Sequence, residues 1–95
     1  MMKLTVADYR EIIQALKQTA NQENTLFIEI LANDLMFKHE PEGKNVKTVT
    51  KALADELLEG DKILAGRIGR RNFKVRYYCD NLAETRRSYY EVLEK

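Results

Sequence analysis

The sequence predicts a single α+β domain, on the basis of three observations. Apolar residues at three- and four-residue spacing, typical of amphipathic helices, recur over much of residues 5–60. Short apolar or alternating stretches, typical of strands, follow between residues 62 and 78. The chain has 95 residues, of which 44% are hydrophobic, enough for roughly one core. We therefore expect one domain over residues 1–95.

The first predicted element is an amphipathic helix from about Val6 to Ala20. Its apolar residues recur every three or four positions and form one stripe: Tyr9, Ile12, Ile13 and Leu16. Thr5 is placed to cap this helix, and Asp8 occupies the capping-box position that Glu or Gln usually holds. Residues 21–24 are polar and predict a break after the helix.

The stretch TLFIEILANDLMF, residues 25–37, fits two structures. One subset of its residues suits a short strand: Leu26, Phe27, Ile28 and Ile30. Another subset suits one face of a helix: Ile28, Leu31, Ala32, Leu35 and Met36. We predict extended chain over 25–27 and a helix over about 28–37. Pro41 and Gly43 then predict a loop over residues 37–45.

The most regular pattern in the chain predicts a helix that begins at Val46. Its apolar face follows i, i+3, i+7, i+11 spacing: Val46, Val49, Leu53 and Leu57. Asn45 is placed to cap its N-terminus, and Gly60 follows its last turn, where a glycine is favoured. Polar side chains occupy the opposite face: Lys47, Thr48, Lys51 and Asp55.

A β-hairpin and a last helix complete the prediction. The strands are KILAGRI (62–68) and NFKVRYY (72–78), joined by a turn over 69–72. Alternation predicts that Phe73, Val75 and Tyr77 point inward and that Lys74, Arg76 and Tyr78 point outward. Tyr78 is placed either to stack on a base or to pack beneath the last helix, which we predict over about 82–94.

Positive charge is concentrated in a short part of this nearly neutral chain. The formal net charge is only +1, yet residues 62–78 hold six basic side chains and no acidic one. Those six are Lys62, Arg67, Arg70, Arg71, Lys74 and Arg76. Residues 1–45 hold five basic and seven acidic side chains by contrast. Such a cluster predicts an anionic partner, with nucleic acid the first candidate.

The sequence offers little support for catalysis or for metal binding. Cys79 is the single cysteine, so no internal disulfide can form, and we expect it to be a small buried apolar residue. His39 lies near Glu40 and Glu42, but one histidine without cysteine is not a zinc signature. We see no glycine-rich phosphate loop, nucleophile elbow or carboxylate pair. We therefore expect no enzymatic activity, no cofactor and no metal.

We also expect a cytoplasmic protein without membrane contact. No stretch approaches the roughly 18 to 20 apolar residues that a bilayer requires. The first residues, MMKLTVADYREII, lack the charged-then-apolar layout of a signal peptide.

Residues 46–78, VKTVTKALADELLEGDKILAGRIGRRNFKVRYY, resemble the third helix and the strand, wing and strand of the winged helix-turn-helix superfamily. The preceding order of helix, short extended segment, helix and loop is similar to the same superfamily. The resemblance covers about residues 5–79 and implies a three-helix core with a two-stranded hairpin wing and an extra C-terminal helix. One departure is FKHEPEGKN, which is longer than the turn of about 3 to 4 residues in a standard helix-turn-helix.

The resemblance implies binding to double-stranded DNA, as by a small transcriptional regulator or a phage- or mobile-element-type DNA-binding factor. The helix that begins at Val46 would enter the major groove, and the wing would contact phosphates or the minor groove. The residues implied are Lys44, Asn45, Lys47, Thr48, Lys51, Arg67, Arg70, Arg71, Asn72 and Lys74. Neutralising about six phosphates would give a log–log salt slope near −5.

Two alternatives stay open. A winged-helix domain also serves as a protein–protein interaction module, whose basic wing would dock on an acidic partner, since fold does not fix function. The last helix could pack within the monomer or pair with its own copy in a homodimer that reads symmetric half-sites.

Overall fold

The structure is a computed structural model and describes residues 3–80 and 86–93. Its elements are helix α1 (Val6–Gln22), strand β1 (Phe27–Leu31), helices α2 (Ala32–His39) and α3 (Val46–Asp55), strands β2 (Lys62–Ala65) and β3 (Lys74–Tyr78), and helix α4 (Tyr89–Leu93). Within the described ranges the fold is mixed α+β, with four helices and a three-stranded antiparallel sheet. The predicted fold class is confirmed at that level.

Helix α1 begins where the sequence predicted and carries the expected capping box. The Asp8 N–H donates to Thr5 Oγ1 at 3.1 Å, and the Thr5 N–H donates to Asp8 Oδ2 at 2.8 Å. The buried stripe is rotated from the predicted one. It consists of Tyr9, Ile13, Lys17 and Ala20, whereas Leu16 is exposed.

The prediction of a helix starting at residue 28 was wrong. Strand β1 continues to Leu31 and pairs with β3, so that Ile28 lies opposite Tyr77. This pairing supplies backbone partners from the far end of the chain, which local periodicity does not reveal. Helix α2 then extends to His39, so the predicted loop over 37–45 is reduced to residues 40–45.

The predicted two-stranded hairpin is part of a three-stranded sheet. The strand order is β1-β3-β2, which makes β3 the central strand. Both hairpin strands are shorter than predicted, because β2 ends at Ala65 and β3 begins at Lys74, with a register shift between Ile63 and Ala65. The predicted alternation is confirmed. Phe73, Val75 and Tyr77 are fully buried, while Lys74, Arg76 and Tyr78 are partly exposed.

Helix α3 begins at Val46 as predicted. The predicted capping by the Asn45 side chain and the predicted end next to Gly60 are both wrong. Asn45 is the N-cap residue, yet its side chain makes no capping hydrogen bond. The helix ends at Asp55, and Gly60 lies in the following turn instead of closing the helix. Leu57 is fully buried although it lies beyond the helix.

The core lies between α1, α3 and the inner face of the sheet. Charged groups are buried beside it, among them Lys17, which is 4% exposed and donates a hydrogen bond to the Glu56 carbonyl oxygen at 2.5 Å. Its ammonium group lies 4.3 Å from the centre of the Tyr77 ring. Burial lowers the pKa of Lys17, and the carboxylates of Glu56 and Asp61 offset part of that effect.

The chain leading into α4 packs on its own domain. The Glu59 N–H donates to the Arg87 carbonyl oxygen at 2.7 Å, and the Tyr89 N–H donates to the Leu57 carbonyl oxygen at 3.0 Å. Helix α4 begins at Tyr89, later than the predicted 82, and residues 81–85 of that prediction lie outside the described residues. In the described part of the chain, no helix has the length and apolar character to cross a membrane.

Candidate nucleic-acid interface

The chain between β2 and β3, residues 66–73, is the predicted wing and is called the basic loop below. It is attached to α3 at a buried hydroxyl. The Gly69 N–H donates to Thr50 Oγ1 at 2.8 Å, and the same hydroxyl donates to the Val46 carbonyl oxygen at 2.8 Å. Thr50 is fully buried, so its hydroxyl links the two elements without competition from water.

A second attachment joins the basic loop to the chain just before α3. The Arg71 guanidinium donates to the Gly43 carbonyl oxygen at 2.7 Å and lies 5.7 Å from the centre of the Phe37 ring. The Asn33 N–H at the start of α2 donates to the Arg71 carbonyl oxygen at 3.1 Å. Since Gly43 precedes α3 and Thr50 lies in its second turn, the basic loop runs alongside the first half of α3.

Four of the predicted site residues present exposed cations there: Lys44, Lys47, Arg67 and Arg70. Within the described ranges, none of these four side chains forms a hydrogen bond or an ion pair. Their charges are available to an anion from outside the chain. Thr48 is partly exposed on the same helix.

Two further lysines of the predicted site are paired with acids. Lys51 Nζ lies 2.7 Å from Asp55 Oδ1, and Lys74 Nζ lies 3.6 Å from Glu29 Oε1. Both lysine side chains are about half exposed, at 58% and 42%. Such surface pairs contribute about 0 to 1 kcal/mol, so a phosphate can displace the acid.

The remaining site residues make contacts within the protein. Asn45 is only 8% exposed, and its amide group donates to the Leu4 carbonyl oxygen at 2.9 Å and to Glu40 Oε1 at 2.8 Å. These bonds use both amide hydrogens, so Asn45 has no donor left for a base edge. Arg71 holds the basic loop in place. Asn72 packs over Gly66, where a Cβ atom would lie 2.6 Å from Asn72 Oδ1.

The acid that fixes Asn45 was not identified from the sequence. Glu40 accepts hydrogen bonds from the Tyr9 hydroxyl, from Asn45 and from the Leu4 N–H. Burial raises the pKa of Glu40, but these three bonds and the positive charge of Lys3 together outweigh burial and hold the pKa below its usual value. The pKa of Tyr9 is raised in turn by burial and by the bond to Glu40. No local pattern predicts this cluster, since Leu4 and Tyr9 lie at the start of the chain, whereas Glu40 and Asn45 lie in the loop between α2 and α3.

The second half of α3 is less open than the first. A shallow cavity there is lined by residues from α3, the basic loop and α4, among them Lys51, Asp55, Ile68 and Tyr90. The negative charge of Asp55 would repel a phosphate at that point. The accessible surface therefore centres on the first two turns of α3.

The sequence also raised Cys79 and His39 as residues that could carry chemistry, and both are packed within the protein. Cys79 is fully buried, as expected, and burial raises the pKa of its thiol. The His39 ring lies edge-on to the Tyr9 ring, with 6.3 Å between the ring centres. Over residues 3–80 and 86–93, no group of three or more His, Cys, Asp or Glu side chains could hold a metal ion.

Comparisons with protein-family models, with curated proteins and with solved structures find no match for this chain.

Proposed function

We propose that this protein is a winged-helix domain that binds double-stranded DNA. The observation that carries the proposal is the double attachment of the basic loop, through Gly69 to Thr50 and through Arg71 to Gly43. These contacts hold the exposed cations of the loop beside the first half of α3. The order helix, strand, helix, helix, strand, loop, strand supports the resemblance to winged-helix domains.

In this proposal the first two turns of α3 enter the major groove. Lys47 and Thr48 project from those turns and have the chemistry to contact base edges or phosphates. The Asn45 side chain does not cap the helix, so N–H groups of the first turn stay free to donate to a phosphate. Asn45 is left out of the contact surface, because its amide group is bonded internally. Arg71 holds the basic loop and is exposed, so its charge still contributes to that surface.

Arg67 and Arg70 of the basic loop, together with Lys44, would bind the phosphate backbone on either side of the groove. Contacts of this kind position a protein and supply affinity, but they carry no direct sequence information. Specificity would then depend on the few α3 side chains that reach base edges.

The proposal is tested by binding of a fluorescently labelled random duplex to wild type, Arg70→Glu and Lys62→Glu. Both variants change the charge equally, but Lys62 lies in β2, outside the proposed interface. We expect Arg70→Glu to weaken duplex binding at low salt by about tenfold, because the variant loses one phosphate contact. We expect Lys62→Glu to bind nearly as wild type does. If the two variants lose duplex affinity equally, binding depends on net charge alone, and the proposed interface is rejected.

A second candidate function, docking of the basic loop on an acidic protein, has one observation in its favour. Leu64 and Ile68, at 38% and 46% exposure, are apolar side chains next to or within the basic loop. Apolar and basic groups together suit an acidic protein partner. Ile68→Ser discriminates the two functions, because it would abolish docking of a protein on the loop while leaving duplex affinity almost unchanged.

A further inference from the structure

The outer face of the sheet carries a second cluster of aromatic and basic side chains. The strand register places Phe27 opposite Tyr78, and Arg76 opposite both Glu29 and Lys62. Paired residues of neighbouring strands share one face. The outer sheet face is defined here as Phe27, Glu29, Lys62, Lys74, Arg76 and Tyr78. The opposite face packs into the core through residues such as Val75 and Tyr77.

Three planar groups lie next to one another on this face. The ring centres of Phe27 and Tyr78 are 5.8 Å apart, and the Arg76 guanidinium lies 4.5 Å from the centre of the Phe27 ring. Two hydrogen bonds to Glu29 Oε2, at 2.9 and 2.6 Å, fix the orientation of the guanidinium. Phe27 stays 37% exposed. The sheet therefore presents preoriented planar surfaces to solvent.

The charge of the outer sheet face is positive. Among its six defining residues, Lys62, Lys74 and Arg76 outnumber one acid, Glu29. Beside Tyr78, a cavity is lined by two further acids, Glu59 and Asp80, together with Arg86. Lys62 is exposed and has no ion pair among the described residues. Cations beside aromatic rings and a guanidinium plane suit a ligand that carries both phosphates and exposed planar rings.

We propose that the outer sheet face is a binding site for single-stranded nucleic acid. Unpaired bases stack on aromatic rings and on arginine planes, and the accompanying phosphates bind lysine. Duplex DNA cannot use this face in the same way, because its bases are stacked on one another inside the helix. An acidic peptide would use the cations but has no need of exposed rings. The site is distinct from the basic loop and does not depend on the proposed duplex binding.

The test is fluorescence anisotropy with labelled oligothymidine and, separately, with a labelled random duplex. The variants are Phe27→Leu, which removes the ring, and Phe27→Tyr, which keeps it. We expect Phe27→Leu to lose about tenfold in oligothymidine affinity, since a base stacked on an aromatic ring contributes on that scale. Phe27→Tyr is expected to bind as wild type does. Neither variant is expected to change duplex binding.

Lys62→Glu gives a second test at an exposed position where the fold is not at risk. It is expected to weaken oligothymidine binding and to spare the duplex, the reverse of Arg70→Glu. Three results would overturn the proposal: no oligothymidine binding by wild type at low salt, no effect of Phe27→Leu, or loss of oligothymidine binding in Arg70→Glu alone. Ring-dependent oligothymidine binding without duplex binding would support this site and reject the proposed function.

Discussion

At the scale of single residues, the structure shows which side chains of the predicted interface are hydrogen-bonded within the protein and which are not. Arg70 and Arg71 are neighbours of the same type in the sequence, yet only Arg71 bonds to Gly43 and stacks near Phe37. Asn45 likewise donates a hydrogen bond to the Leu4 carbonyl oxygen. The sequence shows that these residues are polar, but the partner of each one is set by a distant element. Residue type alone therefore could not distinguish a DNA contact from an internal bond.

Glu40 provides a test of the internal contacts at this scale. We expect Glu40→Gln to lower the free energy of unfolding by about 1 to 2 kcal/mol at neutral pH, because the charge-assisted bonds from Tyr9 and Asn45 weaken. The measurement is the urea unfolding midpoint of both proteins.

The effect of Glu40→Gln should depend on pH in a defined direction. The folded-state pKa of Glu40 lies below its usual value of 4.5, so the carboxylate stabilises the fold fully above that pH. Its contribution is lost as the pH falls through the folded-state pKa. We therefore expect the gap between wild type and variant to shrink in acid. A gap that is constant or grows below pH 4.5 would exclude ionised Glu40 as the cause.

At the scale of elements, local patterns predicted those parts whose contacts are local. The capping box at Thr5, the start of α3 at Val46 and the alternation over 73–77 all follow from spacing within a few residues. Strand β1 was mistaken for a helix because its apolar run fits both periods. The strand is favoured because β1 pairs with β3, for example Glu29 with Arg76, and the two strands are far apart in the chain.

The basic loop is tested as an element by two glycine substitutions. Gly66 and Gly69 have φ values of 69° and 91°, where a Cβ atom is strained. At Gly66 a Cβ atom would also lie 2.8 Å from the backbone of Asn72, whereas at Gly69 nothing lies within 4 Å. We expect Gly66→Ala to destabilise the protein by about 2 to 4 kcal/mol and Gly69→Ala by about 1 to 2 kcal/mol.

Urea denaturation of the two glycine variants gives the comparison directly. Gly69→Ala is the matched control, since it adds the same methyl group to the same loop without the close approach. Equal losses of stability would show that the chain at Gly66 can move away from Asn72, and that the close packing of these two residues does not hold the basic loop in shape.

At the scale of the whole molecule, the near-neutral chain is divided into regions of different charge. The sequence predicted a basic segment over residues 62–78, and the fold divides that segment between two surfaces. Arg67 and Arg70 lie in the basic loop beside α3, while Lys62 and Arg76 lie on the outer sheet face. This division could not be read from the sequence, because it depends on which residues lie in the loop and which lie in the strands.

The number of available cations revises the expected salt dependence of duplex binding. Lys44, Lys47, Arg67 and Arg70 are unpaired within the described part of the chain, Lys51 is held by a weak surface pair, and Arg71 is bonded only to neutral oxygen atoms. Lys74 is not counted, because it lies on the outer sheet face. Four phosphate contacts give a log–log salt slope of about −3.6, and six give about −5. We therefore expect a slope between these values.

Duplex binding by this surface is tested most directly by that salt slope, measured by anisotropy of a labelled random duplex with wild type and Arg70→Gln. We predict a slope of about −3.6 to −5 for wild type and a slope smaller in magnitude by about one for the variant. Absence of duplex binding by wild type at the lowest salt, or binding that does not respond to salt, would contradict the assignment of this surface to DNA.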